Sequence, residues 1–463
     1  MNTGLIHQFN RLSGENRSLI KKALDSATNV GEALIPQKLE QVITNTIVQL
    51  SPEIALMGTE FDNQKLHEFN RVSSLPSAGG AMGEGAVTPT RRSTFQRANV
   101  TLKVVRRKGA VTNFLQDSSA KYVDASAAEM ENHLIAHVYD IIYYSYNGNK
   151  DANTYEFDGW DKFISTNRIN NHSAPATLKF LDDMLDRNIR YAGAKHKKAL
   201  VMSPEMLSRI SQLLTNVRNL QNVGAGGLTQ VEVEGGWRLM AYRGVPIIES
   251  TATRPIAQMT TVTATPATSG GSLADDTYYF SVAPVTYKGE QLASAEVNAV
   301  VSGGGGAGKV TLSFTKFSGS NNDALSYRVY GGTTTGLSNH TLLKVSPAFT
   351  YDGTGTITGD VTSIDITSLT PGSDCTTAMQ ADIPLQAVGG INEELVYLID
   401  LDKYQGIGKM PYTNTAGSRF GGLVTINPLA ITDDDIPFLI KSYCAIADAF
   451  EATSVVQRGL RTA

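Results

Sequence analysis

An α+β fold interrupted by an all-β insertion is what this sequence predicts, and three observations carry that expectation. The outer regions show helical periodicity with capping signals. The stretch from Ile256 to Ala387 alternates in short strand-like runs, and a Gly-rich segment, Ser73 to Thr90, lies between two extended arms. At 463 residues the chain has room for about two or three domains.

The arms come first along the chain. Ser73 to Thr90 (SSLPSAGGAMGEGAVTPT) has neither a helical nor a strand period, whereas Asn99 to Val105 alternates as a strand does. A hairpin with a Gly-rich tip is the simplest arrangement. Two strands alone have little core to pack on, so this hairpin calls for a partner subunit.

Helices follow. Ser126-Ala-Ala-Glu129 reads as a capping box opening a long helix to about Tyr146. Met130, Leu134, Val138, Ile141 and Ser145 form one stripe, and Ile135, Tyr139, Ile142 and Tyr146 another, which predicts cover on two sides. A second helix is expected from about Thr177 to Tyr191, with Leu178, Leu181, Leu185 and Ile189 on one face. Ser203-Pro204 joins an N-cap to a proline at the first helical position. The helix it announces carries Leu207, Ile210, Leu214 and Val217, with Gly224 just past its end.

From Ile256 to Ala387 only 15 of 132 residues are charged, against 69 of the other 331, and the segment nets −5 while the rest nets +1. Tyr278–Val282, Val310–Phe314, Tyr327–Tyr330 and Thr341–Val345 alternate, punctuated by Gly303–Gly306, Gly331-Gly332 and Asp352-Gly353. Short strands at this spacing predict an inserted β-sandwich.

Chemistry is harder to find. Forty bases against 44 acids leave a formal charge of −4, which argues against a protein that holds nucleic acid by charge alone. Cys375 and Cys444 offer no metal-ligand spacing and no disulfide framework, and read as buried, reduced thiols of an intracellular protein. The N-terminus lacks the apolar core of a secretory signal, and no run approaches the roughly 18–20 apolar residues of a membrane span. Cytoplasm is the expected compartment.

Gly303–Lys309 fits G-x-x-x-x-G-K, but Val310 stands where Ser or Thr should hold magnesium, and a strand-like run follows where a helix should start. A β-turn linker is expected there. His133 and His137 are one helical turn apart, yet no Glu follows the first, so a packed pair is expected over a zinc site. Asp433–Asp435 and the loop Asp352–Asp360 miss the calcium-loop pattern and read as turns and caps. No nucleophile elbow or Cys/His pairing appears. No catalytic residue, cofactor or metal is therefore expected, and the chain reads as not an enzyme. The basic clusters Arg91-Arg92 with Arg97, and Arg106-Arg107-Lys108, lack interleaved aromatics for single-strand binding. They predict a solvated or intersubunit ion-pair face, with contact to packaged polyanion as the alternative.

Taken in order, the flanking motifs resemble the tailed-phage major capsid proteins of the Hong Kong 97 type. Gly31–Pro36 and Leu39–Ile43 resemble the end of that family's N-terminal arm, and Ser51-Pro52 with Ala55–Met57 leads into a hairpin similar to its E-loop. Val111–Ser118 precedes the long helix as in the family's spine helix, which ends near Tyr146–Asn149. Leu200–Pro204 resembles the strand-to-helix step of the axial domain, and Gly244–Ser250 its next strand. Val396–Asp402 is similar to the return strand, and Val424–Pro428 leads to the last peripheral segment. The insert resembles a fibronectin type III or bacterial immunoglobulin-like module through Tyr278–Glu290 and Ser294–Val297.

The resemblance implies an N-terminal arm at 1–50, a peripheral domain at 51–65 and 109–172, and an E-loop at 66–108. The axial domain takes 173–255 and 388–410, the immunoglobulin-like insertion 256–387, and the peripheral C-terminal part 411–463. It further implies hexamers and pentamers in an icosahedral virion shell, assembled in host cytoplasm around double-stranded DNA that is held without sequence preference. A portal, with scaffolding or cement proteins, would complete the partners, and the insertion would decorate the exterior, where it could bind host surface. Assembly contacts in the E-loop would involve Gly79, Gly80, Glu84, Arg91, Arg92 and Arg97.

Two departures qualify this. No Lys lies between Lys65 and Lys103, so the amine used by the founding member to crosslink neighbours is missing from the tip. No long charged helical segment precedes Gly31, which implies a separate scaffold or none, and cleavage of a leader is not expected. If the insert is decorative, deleting Ile256–Ala387 should leave assembly intact; if it stabilises contacts between capsomers, assembly should fail. An encapsulin-like compartment is the alternative, and a cytoplasmic binding protein built around the β-domain comes third.

Overall fold

The computed structural model describes residues 59–62, 64–74, 84, 87, 90–119, 124–192, 197–220, 229–233, 237–253, 255–318, 323–352, 357–372, 384–401, 410–412, 418–419, 423–429, 434–447 and 450–462. The expected N-terminal arm, Ser51–Met57, Gly79, Gly80, Gly224 and Cys375 lie outside the described residues.

The chain forms two units, the first spanning 1–49, 108–135 and 427–439, the second 50–107, 136–426 and 440–463. In the first, a short helix Asn113–Ser119 starts where the Asn113 amide donates to the Asp434 carbonyl at 2.8 Å and its side chain to the Asp434 carboxylate at 3.0 Å. Gly109 is required beside Phe438, because a Cβ there would lie 2.4 Å from the ring.

The helix Ala125–Asn147 also begins in this unit, and its cap differs from expectation. Asp124, not Ser126, accepts the Ala127 amide at 3.1 Å and the Ser126 hydroxyl at 2.9 Å. Ser126 is already helical, and its own amide is taken by the Gln116 side chain at 2.9 Å. The two-sided cover holds best toward the C-terminal end, where Ile141, Ile142, Tyr143, Ser145 and Tyr146 are all buried.

The second unit is built on an eight-stranded sheet. Its order is Arg168–Pro175, Val455–Arg461, Ile391–Asp400, Lys198–Met202, Val245–Glu249, Trp237–Tyr242 and Thr229–Val233, with Ala387–Val388 added beside Ile391–Asp400. Ala199 to Met202 and Leu395 to Asp400 are continuously buried, as central strands covered on both faces should be. Helices Leu178–Ala192 and Pro204–Leu220 supply Leu181, Met184, Leu185, Met206, Leu207, Ile210 and Leu214 to one core with Leu200, Ile247, Val396 and Leu398. The N-cap at Ser203 is as expected, its hydroxyl accepting the Met206 amide at 3.1 Å. Of the expected stripe on Leu178–Ala192, Leu181 and Leu185 are buried and Leu178 packs on the same core, but Ile189 is exposed and Phe180, Met184 and Asn188 are buried beside them.

Strands from Val262 to Ile366 form two sheets around a shared apolar core, as a sandwich requires. One holds Val262–Ala267, Lys309–Phe314 and Ser363–Ile366. The other holds Gly289–Glu290, Asp276–Thr286, Ser326–Gly332 and Thr341–Pro347, with Val297–Val301 also pairing on Asp276–Thr286. Val310, Leu312 and Ile364 from the first meet Phe280, Val282, Tyr327 and Val329 from the second. Both ends of this β-domain join strands flanking Lys198–Met202, so they emerge about 10 Å apart.

Candidate assembly surface

Leu66–Ser74 and Thr94–Thr101 pair antiparallel from Leu66↔Thr101 to Ser74↔Thr94, with one irregularity between Val72 and Ser74. Among the described residues this ribbon pairs with no third strand. The next strand, Lys103–Thr112, leaves it and pairs with Asp435–Cys444. Among the described residues of the ribbon none is fully buried, and Phe69, Ala98 and Val100 are half-buried. Phe95 is 72% exposed and Val87, near the tip, 91%. Water-exposed Phe and Val on a lone two-stranded ribbon leave apolar area that only another surface can cover.

Of the expected contact residues, Glu84 lies exposed in a turn near the tip, and Arg91 and Arg92 are exposed ahead of the second strand. Arg97 stands on that strand, its guanidinium 3.4 Å from Glu68 across the ribbon. This pair is exposed on both sides, so it fixes little energetically. Of the second basic cluster, Arg107 is committed internally, with Nη2 2.7 Å from the Asp140 carboxylate. In the other unit the short helix Asn113–Ser119 has no buried residue and exposes Phe114 and Leu115.

Asp275 accepts the Gly303 and Gly304 amides, both at 3.0 Å, so its carboxylate fills the concavity that a phosphate would need. Lys309 opens a strand and pairs with Asp365 at 2.9 Å. His133 bonds Glu129 at 3.1 Å and meets the Phe438 ring edge-on. His137 is buried with Nε2 2.9 Å from Ser442 Oγ, and burial, with help from Arg107, pushes its pKa down to about 4. A neutral imidazole bonded to a hydroxyl is a packing residue. Asp434 anchors the short helix, and Asp360 pairs with Lys316 at 3.0 Å. Among the described residues no helix is long and apolar enough to cross a membrane.

Sequence reasoning missed Asp161, Glu290, Arg328 and Arg458, which are buried and ion-paired with one another. The available signal was a charge inside an otherwise apolar strand, as in Tyr327-Arg328-Val329-Tyr330.

Residues 20–235, a little under half of the chain, match the family model of the SU10 major capsid protein. No curated protein sequence matches. Solved structures similar to this chain include the SrpI encapsulin complex from Synechococcus elongatus, at 10% identity over 91% of this chain and 93% of that one, with a TM-score of 0.45. The capsid of a native GTA particle is similar at 8% identity, covering 94% and 97%, with a TM-score of 0.44. The capsid of cyanophage A-1(L) is similar at 10% identity, covering 92% and 98%, with a TM-score of 0.42. Likenesses this distant carry no weight beside the family match.

Proposed function

We propose, with the match of residues 20–235 to a major capsid protein family as premise, that this chain is the shell-forming subunit of a tailed double-stranded DNA phage. The family is a structural one, and the reading needs no catalytic site. The observation that carries it is the ribbon Leu66–Ser74/Thr94–Thr101, which exposes Phe95 and pairs with no other strand among the described residues.

Assembly on this reading is geometric. Each subunit extends its ribbon over a neighbour and buries apolar surface that it cannot bury alone, in hexamers and pentamers of a Hong Kong 97-type shell. Specific contacts of this kind bury upwards of roughly 1,000 Å². Glu84, Arg91, Arg92 and Arg97, together with Gly79 and Gly80, would contribute to the contact with that neighbour. The interior would hold DNA without sequence preference, while portal, scaffolding or cement proteins complete the particle. The β-domain would stand on the exterior, where it could meet host surface.

Negative-stain microscopy with light scattering tests this on the expressed protein, alone and with the scaffold of its own genome. Closed shells or hexameric rings bearing small protrusions are expected. Monomers under both conditions would remove the reading, and shells filled with a dedicated cargo protein would favour a cellular compartment.

A further inference from the structure

The β-domain is attached to the rest of its subunit by more than its two ends. Gly289, at φ +94°, lies so close to the turn Thr251–Thr253 that a Cβ would stand 1.7 Å from the Ala252 carbonyl oxygen. Asn392 Nδ2 donates to the Pro255 carbonyl at 2.8 Å, tying the exit to the entry. Further contacts reach elements distant in sequence. Tyr143 of the long helix meets Ser326 through their hydroxyls at 3.1 Å, and Tyr139 packs on Tyr287 at 5.5 Å. In the loop after that helix, Tyr155 packs on Tyr351 and donates to the Asp352 carbonyl at 3.4 Å.

The interior of the junction is ionic. Arg168 pairs with Asp161 at 2.7 Å, and Asp161 pairs in turn with Arg328 of the β-domain. Arg328 reaches Glu290 at 2.7 Å, and Glu290 pairs with Arg458 of the sheet at 2.8 Å. The signs alternate along this path, and none of the five side chains is more than 5% exposed. Tyr330 completes it, donating to Glu290 at 2.7 Å and accepting from Arg458 at 2.8 Å. Burial alone would raise the pKa of both carboxyls. The arginines outweigh it and hold Asp161 and Glu290 below their ordinary range, so both are ionised. Asp161, Arg168 and Arg458 come from the capsid-like core, and Glu290 and Arg328 from the β-domain. Glu290 and Arg328 balance each other, while the core side carries one arginine in excess, Arg458, whose charge is met by Glu290 across the junction.

We propose that the β-domain is a co-folded part of the subunit core, clamped by the buried path Arg168–Asp161–Arg328–Glu290–Arg458, so that it unfolds together with the eight-stranded sheet and points its outer loops in one fixed direction. Removing one partner of a buried ion pair leaves a charge without compensation and is strongly destabilising. Residues of one such network also show non-additive effects, whereas distant sites add. Deleting Ile256–Ala387 therefore strips a wall from the core, and soluble subunits are lost before assembly begins.

The test uses the full-length free subunit and does not depend on what the subunit assembles into. Both tryptophans lie outside the β-domain, Trp160 beside Asp161 at the junction and Trp237 on the strand Trp237–Tyr242, so their emission reports unfolding on the core side. Leu312 is fully buried in the β-domain's own core, away from the junction. Leu312→Ala should lower the melting midpoint read by tryptophan emission by as much as the midpoint read by hydrogen exchange in Lys309–Phe314. In the wild type the two midpoints should coincide, a reading available even if the variant fails to fold. Asp161→Asn combined with Arg328→Gln should lower the midpoint by less than the sum of the single shifts. A tryptophan midpoint that stays put when Leu312→Ala melts the β-domain would overturn the proposal. Separate wild-type transitions would do the same, and strictly additive junction variants would remove the ionic clamp.

Discussion

Glu156 ties the loop after the long helix to the acidity of its surroundings. Its buried carboxylate accepts the Asn149 amide at 3.2 Å and the Asn153 side chain at 3.0 Å. Burial pushes its pKa up from 4.5 to about 7, against the pull of those two hydrogen bonds, and Asp158 adds a smaller push. Burial raises the pKa of Tyr143, Tyr144 and Tyr351, and Glu156 adds to the rise at each. The folded chain thus holds the proton more tightly than the unfolded one. The associated stability is fully present below pH 4.5 and is lost as pH rises through about 7. The difference between those two values amounts to about 3 kcal/mol. Glu393, also pushed to about 7 by burial, adds a loss of the same sign. His137 runs the other way, its contribution present above 6.5 and lost as pH falls toward 4. Glu156→Gln removes one titration and leaves the others. Urea unfolding of the free subunit, followed by tryptophan emission from about pH 5.5 to 8.5, separates slope from baseline. The baseline of the variant should fall, because its NH2 must face one of the two donors, the Asn149 amide or the Asn153 side chain, while its oxygen accepts from the other. Its stability should nevertheless decline with pH by about 2–3 kcal/mol less than that of the wild type. Identical slopes in the two proteins would refute the reasoning.

Phe95→Ser should leave the subunit's melting midpoint within about 1 °C, since the ring faces water, yet weaken each intersubunit contact by about 1–2 kcal/mol and block shells in light scattering. Gly289→Ala combines a positive φ with a Cβ 1.7 Å from the Ala252 oxygen, so it should cost more than about 2 kcal/mol in chemical denaturation. Burial pushes the Cys444 thiol up to about 12; titration with a thiol reagent at neutral pH should leave it unreacted until denaturant is added. With no Lys between 65 and 103, denaturing gels of purified shells should show monomers, and a ladder of covalent oligomers would contradict that.

The features legible in the sequence are those set by local periodicity. The β-domain announced itself by alternation and by loss of charge, and the third helix by Ser203-Pro204. What stayed hidden depends on partners far along the chain. The long helix starts at Asp124 because Gln116, in the preceding helix, takes the Ser126 amide that a capping box would have left for Glu129. In Leu178–Ala192 a hydropathy stripe favours Ile189 over Asn188. Asn188 is buried instead, because its amide reaches the Thr453 carbonyl at 2.6 Å and its oxygen takes Lys198 at 2.8 Å. A satisfied amide is an acceptable core residue, and no periodicity reveals that satisfaction. The ionic junction is hidden for the same reason: Asp161 and Arg328 stand 167 positions apart, as do Glu290 and Arg458 by 168. The pairing of the two arms around the Gly-rich segment was legible, since alternation beside a Gly-rich link is a local property.

The charged motifs share one physical outcome, and it separates them from the surface proposed to carry function. The glycine loop that mimics a phosphate site is occupied by Asp275. Lys162 donates to Asn149 at 2.8 Å and pairs with Asp158 at 3.2 Å and with Asp151, so the acidic loop after the long helix has an ammonium where a cation might be sought. The buried arginines are matched to buried carboxylates. In each case the group that could recognise a ligand is already recognised within the chain, which lowers the local energy and removes the capacity to bind. The ribbon is the opposite case. Its backbone pairs are made, but Phe95 is left largely exposed on it. Cover has to come from outside, and a second copy of the same chain is the one partner guaranteed to be present at the concentration at which the first is made.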